Sequence, residues 1–313
     1  MKKYCAGIDI GGTNSVIGLV DGQGNCVCDR TISTKDFETP EAFVKAACIE
    51  IRHCLEQNKD AQLSGIGIGA PNGNYYTGCI EFAPNLPWKG VIKLAELFRQ
   101  ETGTTSVLTN DANAAAVGEQ LFGAAKGMKN FVVITLGTGL GSGFVINGEV
   151  LYGHDGFAGE LGHVIVVRDG RLCGCGRRGC LETYASATGI VRTMHEWLDN
   201  SAQPSPLRNL EEITSRQIAE QGTAGDPIAL EVVDYTAKIL GRALADMVCI
   251  TSPQAIFLFG GLAQAGDLLI KPVKKYMEEN LLNIFKNKIE IYSSKLSSNA
   301  AVLGAGALAW KHT

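Results

Sequence analysis

The sequence predicts an α/β protein built from two domains of the same topology, and three observations carry that expectation. The chain has 313 residues, more than one domain of ordinary size uses. Short apolar runs that stop at glycine alternate with longer patterns of helical period. One pattern also occurs twice. IDIGGTNSVIGLVDG at 8–22 and ITLGTGLGSGFVING at 134–148 each read as an apolar strand, a glycine turn, a second strand and an Asn/Asp-Gly hairpin turn. Asp9 of the first copy stands where Thr135 stands in the second, so the two halves have different jobs.

Residues 3–10 read as a buried strand stopped by the turn Gly11-Gly12-Thr13-Asn14, and 15–20 and 26–32 as two further strands joined by a hairpin loop. A helix is expected from Pro40, a residue suited to the first helical position, to about residue 57. Strands follow at 63–69 and 106–109. Asn110-Asp111 reads as the cap of an alanine-rich helix over 112–122. After the second copy, whose first strand is 131–136, helices are expected at 185–198, 214–221 and 227–251. Strands at 255–259 and 289–293 and a helix of small residues at 300–310 complete the chain.

The net charge of −4 leaves no electrostatic footprint for nucleic acid. No apolar run approaches the roughly 18 residues of a membrane span. The N-terminus leads straight into a strand rather than a signal peptide, so a cytoplasmic protein is expected. Cys5, Cys26, Cys28, Cys48, Cys54, Cys79 and Cys249 are scattered through apolar segments, as small core hydrophobes in a reduced compartment would be. Cys26 and Cys28 alternate on a strand and are expected to share a face as thiols.

The densest chemistry lies in GFAGELGHVIVVRDGRLCGCGRRGCLET at 156–183. His163, Cys173, Cys175 and Cys180 form the ligand set of a closed Cys3His zinc site, and Gly174, Gly176 and Gly179 let the chain turn tightly enough for the sulfurs to converge. A glycine-rich loop with incidental cysteines is the plainer reading; a disulfide would leave one cysteine unpaired and the histidine unused. Glu160 and Glu182 bracket the ligands and are free to bind something else. Three glycine turns follow strands, at 9–14, 136–143 and Gly260-Gly261. None is a P-loop or a dinucleotide fingerprint, and each alone reads equally well as a hairpin, but such turns expose N–H groups to which phosphates come close. Asp111, at a strand end and a helix N-terminus, is placed to point into a cleft or simply to cap the helix.

Gly-Glu-Leu-Gly-His followed by Cys-Gly-Cys-Gly-Arg-Arg-Gly-Cys-Leu-Glu resembles the ROK family of repressors and sugar kinases, and the resemblance extends over essentially the whole chain. It implies two actin-like ATPase (ribonuclease H-like) domains with a cleft between them: a small one at 1–116, joined by a C-terminal helix at about 300–313, and a larger one at 117–299 that carries the zinc loop. It implies ATP as phosphate donor, with Asp9 holding Mg²⁺. Gly11, Gly12, Thr13, Asn14, Gly137, Thr138 and Gly139 would serve the phosphates, and Gly260 and Gly261 the adenosine. The pattern Asn110-Asp111-Ala112-Asn113 matches the family's catalytic Asp, which makes Asp111 the general base. Asn85, Asn110, Asp111, Glu160, His163 and Glu182 would bind a sugar, His163 with one ring nitrogen on zinc and the other toward the sugar. Trp88 reads as a packing residue. Gly69-Ala70-Pro71-Asn72-Gly73-Asn74 departs from the family's Gly-Xaa-Pro-Gly by an extra Asn, so no sugar contact carries over to that loop.

The implied activity is phosphorylation of a hexose at O6, glucose first. N-acetylglucosamine, N-acetylmannosamine, allose and fructose are alternatives, and a homodimer is expected. A transcriptional repressor of this family carries a helix-turn-helix domain ahead of the first phosphate turn, for which Asp9 comes too early. A sugar sensor without catalysis is the other rival, and the presence of both Asp9 and Asp111 argues against it.

Overall fold

A computed structural model describes residues 1–296 and 300–313. In the first half, β1 (Lys2–Ile10), β2 (Asn14–Val20) and β3 (Cys26–Ser33) run antiparallel. On the other side of β1, β4 (Ala61–Gly69) and β8 (Ser106–Thr109) run parallel to it, in the order β3-β2-β1-β4-β8. Two parallel crossovers supply the helices α1 (Pro40–Gln57) and α2 (Leu94–Thr102). Between β4 and α2 lies a small sheet of β5 (Gly73–Asn74), β6 (Cys79–Glu81) and β7 (Val91–Ile92).

The second half repeats the plan. β9 (Phe131–Leu136), β10 (Leu140–Ile146) and β11 (Glu149–Val150) are antiparallel, and β12 (Ala255–Phe259) and β13 (Glu290–Ser293) run parallel to β9. The order β11-β10-β9-β12-β13 is that of the first sheet, so the sequence repeat is a repeat of topology. The helices of this half are α4 (Glu182–Ala185), α5 (Ala187–Asn200), α6 (Ser215–Thr223), α7 (Pro227–Thr251) and α8 (Asp267–Asn280).

Two helices lie between the sheets: α3 (Asp111–Leu121) and α9 (Ala300–Trp310). The small residues of α9 are required by how near it approaches. A Cβ on Gly7 would stand 2.0 Å from the Val302 carbonyl oxygen, and one on Gly67 would stand 1.8 Å from that of Ala305. Gly304 meets α3 in the same way, at the Ala114 carbonyl. Ile8, Ile17, Phe43, Ile51, Ile68 and Phe98 centre the first core, and Ile134, Leu181, Met194, Leu244, Ile256 and Val273 the second. Trp88 belongs to the first core: it is buried against Phe43 with its indole N–H on the Phe37 carbonyl.

The structure departs from the sequence reading in five places. α2, α8 and the small sheet were not foreseen; Pro272, inside α8, reads locally as a helix stop. The helix expected at 185–198 is broken at Ser186, whose extended backbone and side-chain bond from Gly189 N–H begin α5 anew. Cys26 and Cys28 do not share a face. A bulge lets Leu19 pair with Cys28 and Val20 with Cys26, so Cys26 turns toward α9 and Cys28 toward α1. There Cys28 and Cys54 are joined by a disulfide, correcting their assignment as thiols. Cys5, Cys48 and Cys79 are buried, whereas Cys249 is exposed on α7.

Candidate functional site

The parallel strands β1, β4 and β8 end side by side, with Asp9 paired to Gly69 and Gly69 to Thr109. Gly69 puts no side chain between β1 and the start of α3, where Asp111 follows, and the two carboxylates feel one another across it. Burial pushes the Asp9 carboxyl up to about 6, and the charge of Asp111 adds to the shift. Asp111 is exposed where β8 gives way to α3, with enough protein about its carboxyl to desolvate it. Desolvation raises its pKa against the pull of its own and the Ala112 backbone N–H groups. The helix cap is Asn110, whose side-chain oxygen accepts from Asn113 N–H at 2.7 Å. Asp111 is therefore the first helical residue, with one carboxylate oxygen on Ala112 N–H at 2.9 Å. Thr135, the counterpart of Asp9, engages its hydroxyl with Gly141 N–H of its own hairpin.

The glycine turns meet their neighbours at distances that exclude a side chain. A Cβ on Gly12 would lie 2.6 Å from the Asn85 carbonyl, so the loop bearing exposed Asn85 rests on the first turn. A Cβ on Gly139 would lie 2.7 Å from Glu182 Oε2. Gly260, at φ 102°, lies against the Leu136 carbonyl, which places the third turn beside the second. Gly11 N–H closes the first turn on the Asn14 carbonyl, and Gly137 N–H closes the second on that of Gly139. Thr13 and Gly261 are exposed at the rims of their turns. Asn85, Thr138, Gly139 and Glu182 line one cavity of about 330 Å³.

Two residues of that cavity had escaped the sequence reading. Thr188 donates its hydroxyl to the Thr138 carbonyl at 2.6 Å, and Arg192 stands one turn further along α5. Their only local signal is a spacing of four on a helix, which acquires meaning once Ala187 N–H is seen to bind the Gly137 carbonyl and dock that helix on the turn. Arg171 was also missed. It is buried over the Tyr184 ring, bonded to the Thr183 and Gly189 carbonyls and paired with Glu196, and so fastens the cysteine loop to α5.

Within that loop the bridges Ile165–Cys180 and Leu172–Arg178 fold the chain back on itself. The donor atoms of His163, Cys173, Cys175 and Cys180 all lie within 4.8 Å of one another. Cys175 Sγ is 3.7 Å from Cys180 Sγ, and Cys173 Sγ is 3.6 Å from His163 Nδ1. A tetrahedral zinc ion at about 2.3 Å from each sulfur sets sulfur pairs about 3.8 Å apart, so the donor set fits that ion. Desolvation works to raise the Cys175 thiol, but the N–H groups of Arg177 and the neighbouring thiols bring it down to about 6. His163 turns its other nitrogen toward Glu160, at 3.9 Å, and Glu182 accepts from the Cys173 thiol at 2.9 Å. Desolvation raises Glu160; His163 opposes the shift, while Asp111 and Glu182 add to it. Glu160, His163 and Glu182 thus form one group, and its member Glu160 feels the charge of Asp111 from the first half of the chain.

The chain is similar to proteins of known name along its whole length. It is 35% identical to a glucokinase of Halalkalibacterium halodurans over 311 residues, 97% of this chain and 94% of that protein. The solved structure of a ROK family glucokinase from Streptomyces griseus, in complex with glucose and AMPPNP, superposes with a TM-score of 0.84 at 32% identity, covering 98% of this chain and 99% of that one. The xylose repressor of Bacillus subtilis is 28% identical over 99% of this chain and 77% of its own length. With the ROK family model matching residues 5–312, the chain belongs to the ROK family and has its actin-like α/β fold.

Proposed function

We propose that this protein transfers the terminal phosphoryl group of ATP to the 6-hydroxyl of glucose. The observation that carries the reading is the cavity in which Asn85, on the loop that rests on the first glycine turn, meets Thr138, Gly139 and Glu182 of the second half, while Glu160 of that half feels the charge of Asp111 from the first. Its similarity to glucokinases favours glucose over N-acetylglucosamine, N-acetylmannosamine, allose or fructose.

Phosphoryl transfer needs positioning and charge neutralisation more than covalent help. Asp111 orients the 6-hydroxyl and takes its proton, and burial, which raises its carboxyl pKa, makes it the stronger base. Asn85, Asn110, Glu160, His163 and Glu182 hold the other hydroxyls; Asn110 has its amide NH₂ left for this, since its oxygen is occupied by the cap. Gly11, Gly12, Thr13, Asn14, Gly137, Thr138 and Gly139 bind phosphates, and Gly260 and Gly261 the adenosine. Half-buried Asp9 suits Mg²⁺, which would offset the charge on the phosphates. His163, Cys173, Cys175 and Cys180 hold zinc, and four protein ligands leave it no open position, so its part is structural.

The domains are 1–116 and 117–299, with the helix of 300–313 serving the first. Ligand thiolates favour a reducing compartment such as the cytoplasm, and the Cys28–Cys54 disulfide, a bond rare there, is the observation that stands against it. Two copies pair through a mainly apolar groove of about 780 Å³ between α7 and the loop segment at 164–167, which includes exposed Val164, Ile165 and Ile250. Lys238 and Asp246, eight residues apart on α7, come opposite one another when two such helices pack antiparallel about a two-fold axis.

An assay coupling ADP release to a panel of hexoses and N-acetylhexosamines tests the activity. The reading requires ATP-dependent turnover, fastest with glucose. Tight sugar binding without turnover would instead favour a sensor, in line with the similarity to xylose repressors.

A further inference from the structure

The segment that carries Glu160 begins as a loop with positive φ at Gly153, Gly156 and Gly159. Glycine there costs the loop intrinsic stiffness, so its course depends on what fastens it. Its far end is held within its own half: the Ser142 hydroxyl binds the Gly159 carbonyl and accepts from Leu161 N–H. Its middle is held by the other half of the chain. The Asn74 side-chain amide, 2% exposed, donates to the Asp155 carbonyl at 2.7 Å. A Cβ on Gly156 would stand 2.4 Å from Asn74 Oδ1, so the contact needs a glycine at that position. Tyr76 adds a bond from its hydroxyl to the Gly153 carbonyl, and Tyr75 stacks on Tyr152 with ring centroids 4.1 Å apart.

The near end of this strut is tied to the strand that presents Asp111. Ala70 N–H binds the Thr109 carbonyl, Gly73 N–H binds the Ala70 carbonyl, and a Cβ on Gly73 would strike Thr109 at 2.3 Å. A short path therefore runs from the strand end before Asn110-Asp111, through the turn at 70–74, to the loop before Glu160. This turn contains the extra Asn that sets it apart from the family pattern.

We propose that Asn74 is a positioning residue for the sugar: its amide sets the loop at 153–159 so that Glu160 stands in register with Asp111. The inference rests on the reading of this cleft as a sugar site. Asn74 also has a local role, since its Oδ1 accepts from Tyr76 and Thr77 N–H. Two substitutions separate the roles. Asn74→Asp keeps the acceptor and loses the donor to Asp155, whereas Asn74→Ala loses both.

The experiment measures sugar and nucleotide affinity by calorimetry on the whole protein, with KM for each substrate alongside. Losing one such hydrogen bond is expected to weaken glucose binding about three- to tenfold. The Asp and Ala variants should lose equally, with KM for ATP unchanged. Gly156→Ala, which pushes the same contact apart from the other side, should reproduce the loss, and combined with Asn74→Asp should add little to it. Asn74→Asp with glucose affinity within twofold of the parent overturns the proposal, leaving only the local turn. Parallel losses of sugar and nucleotide affinity overturn it as well, since they mean general loosening. If the parent protein itself binds and phosphorylates no hexose, it is the reading of the cleft that fails.

Discussion

Asp9 is expected to be held in its charged form at a cost in stability, and that cost is measurable. Burial and the Asp111 charge move its carboxyl from 3.8 to about 6. A carboxyl raised in this way binds its proton more tightly in the folded chain than in the unfolded one. Stability therefore falls as pH rises from about 4 to 6, and the full penalty applies above pH 6. A shift of this size corresponds to about 3 kcal/mol. Asp9→Asn, which is nearly isosteric and uncharged, should recover it in the ligand-free protein at pH 7.5, raising Tm by about 4–5 °C for a chain of this length. Near pH 4 most of the gain should be gone, because the folded parent carboxyl is protonated and the unfolded one is close to its own midpoint. The same variant should lose phosphoryl transfer at every Mg²⁺ concentration, and Mg²⁺ with nucleotide should stabilise it less than the parent. Calorimetric melting at the two pH values, with and without Mg²⁺ and a non-hydrolysable nucleotide, is the assay. A Tm that falls at pH 7.5, or rises equally at both pH values, would refute the reasoning. Full activity would show that Asp9 does not serve the metal.

Asp111→Asn should cut turnover about 10²–10⁴-fold, the usual range for a general base, while glucose affinity stays within a few fold; near-normal turnover would demote Asp111 to part of a helix start. Cys175→Ala should lower bound zinc by metal analysis and weaken glucose binding more than nucleotide binding, because the glycine turns lie outside the loop. Zinc loss with unchanged glucose affinity would leave the loop a mere clip. Cys28→Ala should destabilise the oxidised protein by about 3.5 kcal/mol, as expected for a bond closing a 26-residue separation, and the difference should disappear under reductant with kinetics unaltered.

What the sequence made legible is what short stretches dictate. A strand stopped by glycine and a Cys3His cluster with glycines between its ligands are local instructions, and the structure places the four ligand atoms together. The glycines at 7, 67 and 304 were visible as letters but not as contacts, since each is required by a helix that meets it only in the folded chain. The same limit hid Thr188 and Arg192, whose helix reaches the second turn through the backbone bond from Ala187 to Gly137.

The bulge opposite Leu19 and Val20 shows how small a change suffices to defeat a local rule. Alternation put Cys26 and Cys28 on one face, but one extra residue in β3 reversed the relation and brought Cys28 to Cys54. Asn74 carries that argument to the site. Nothing in its neighbours announces a partner 81 residues away, and the family resemblance marked its loop only as a departure. The two carboxylates proposed to hold the sugar, Asp111 and Glu160, belong to opposite halves of the chain. Their register is therefore set by contacts between the halves, which are the contacts a linear pattern does not write down.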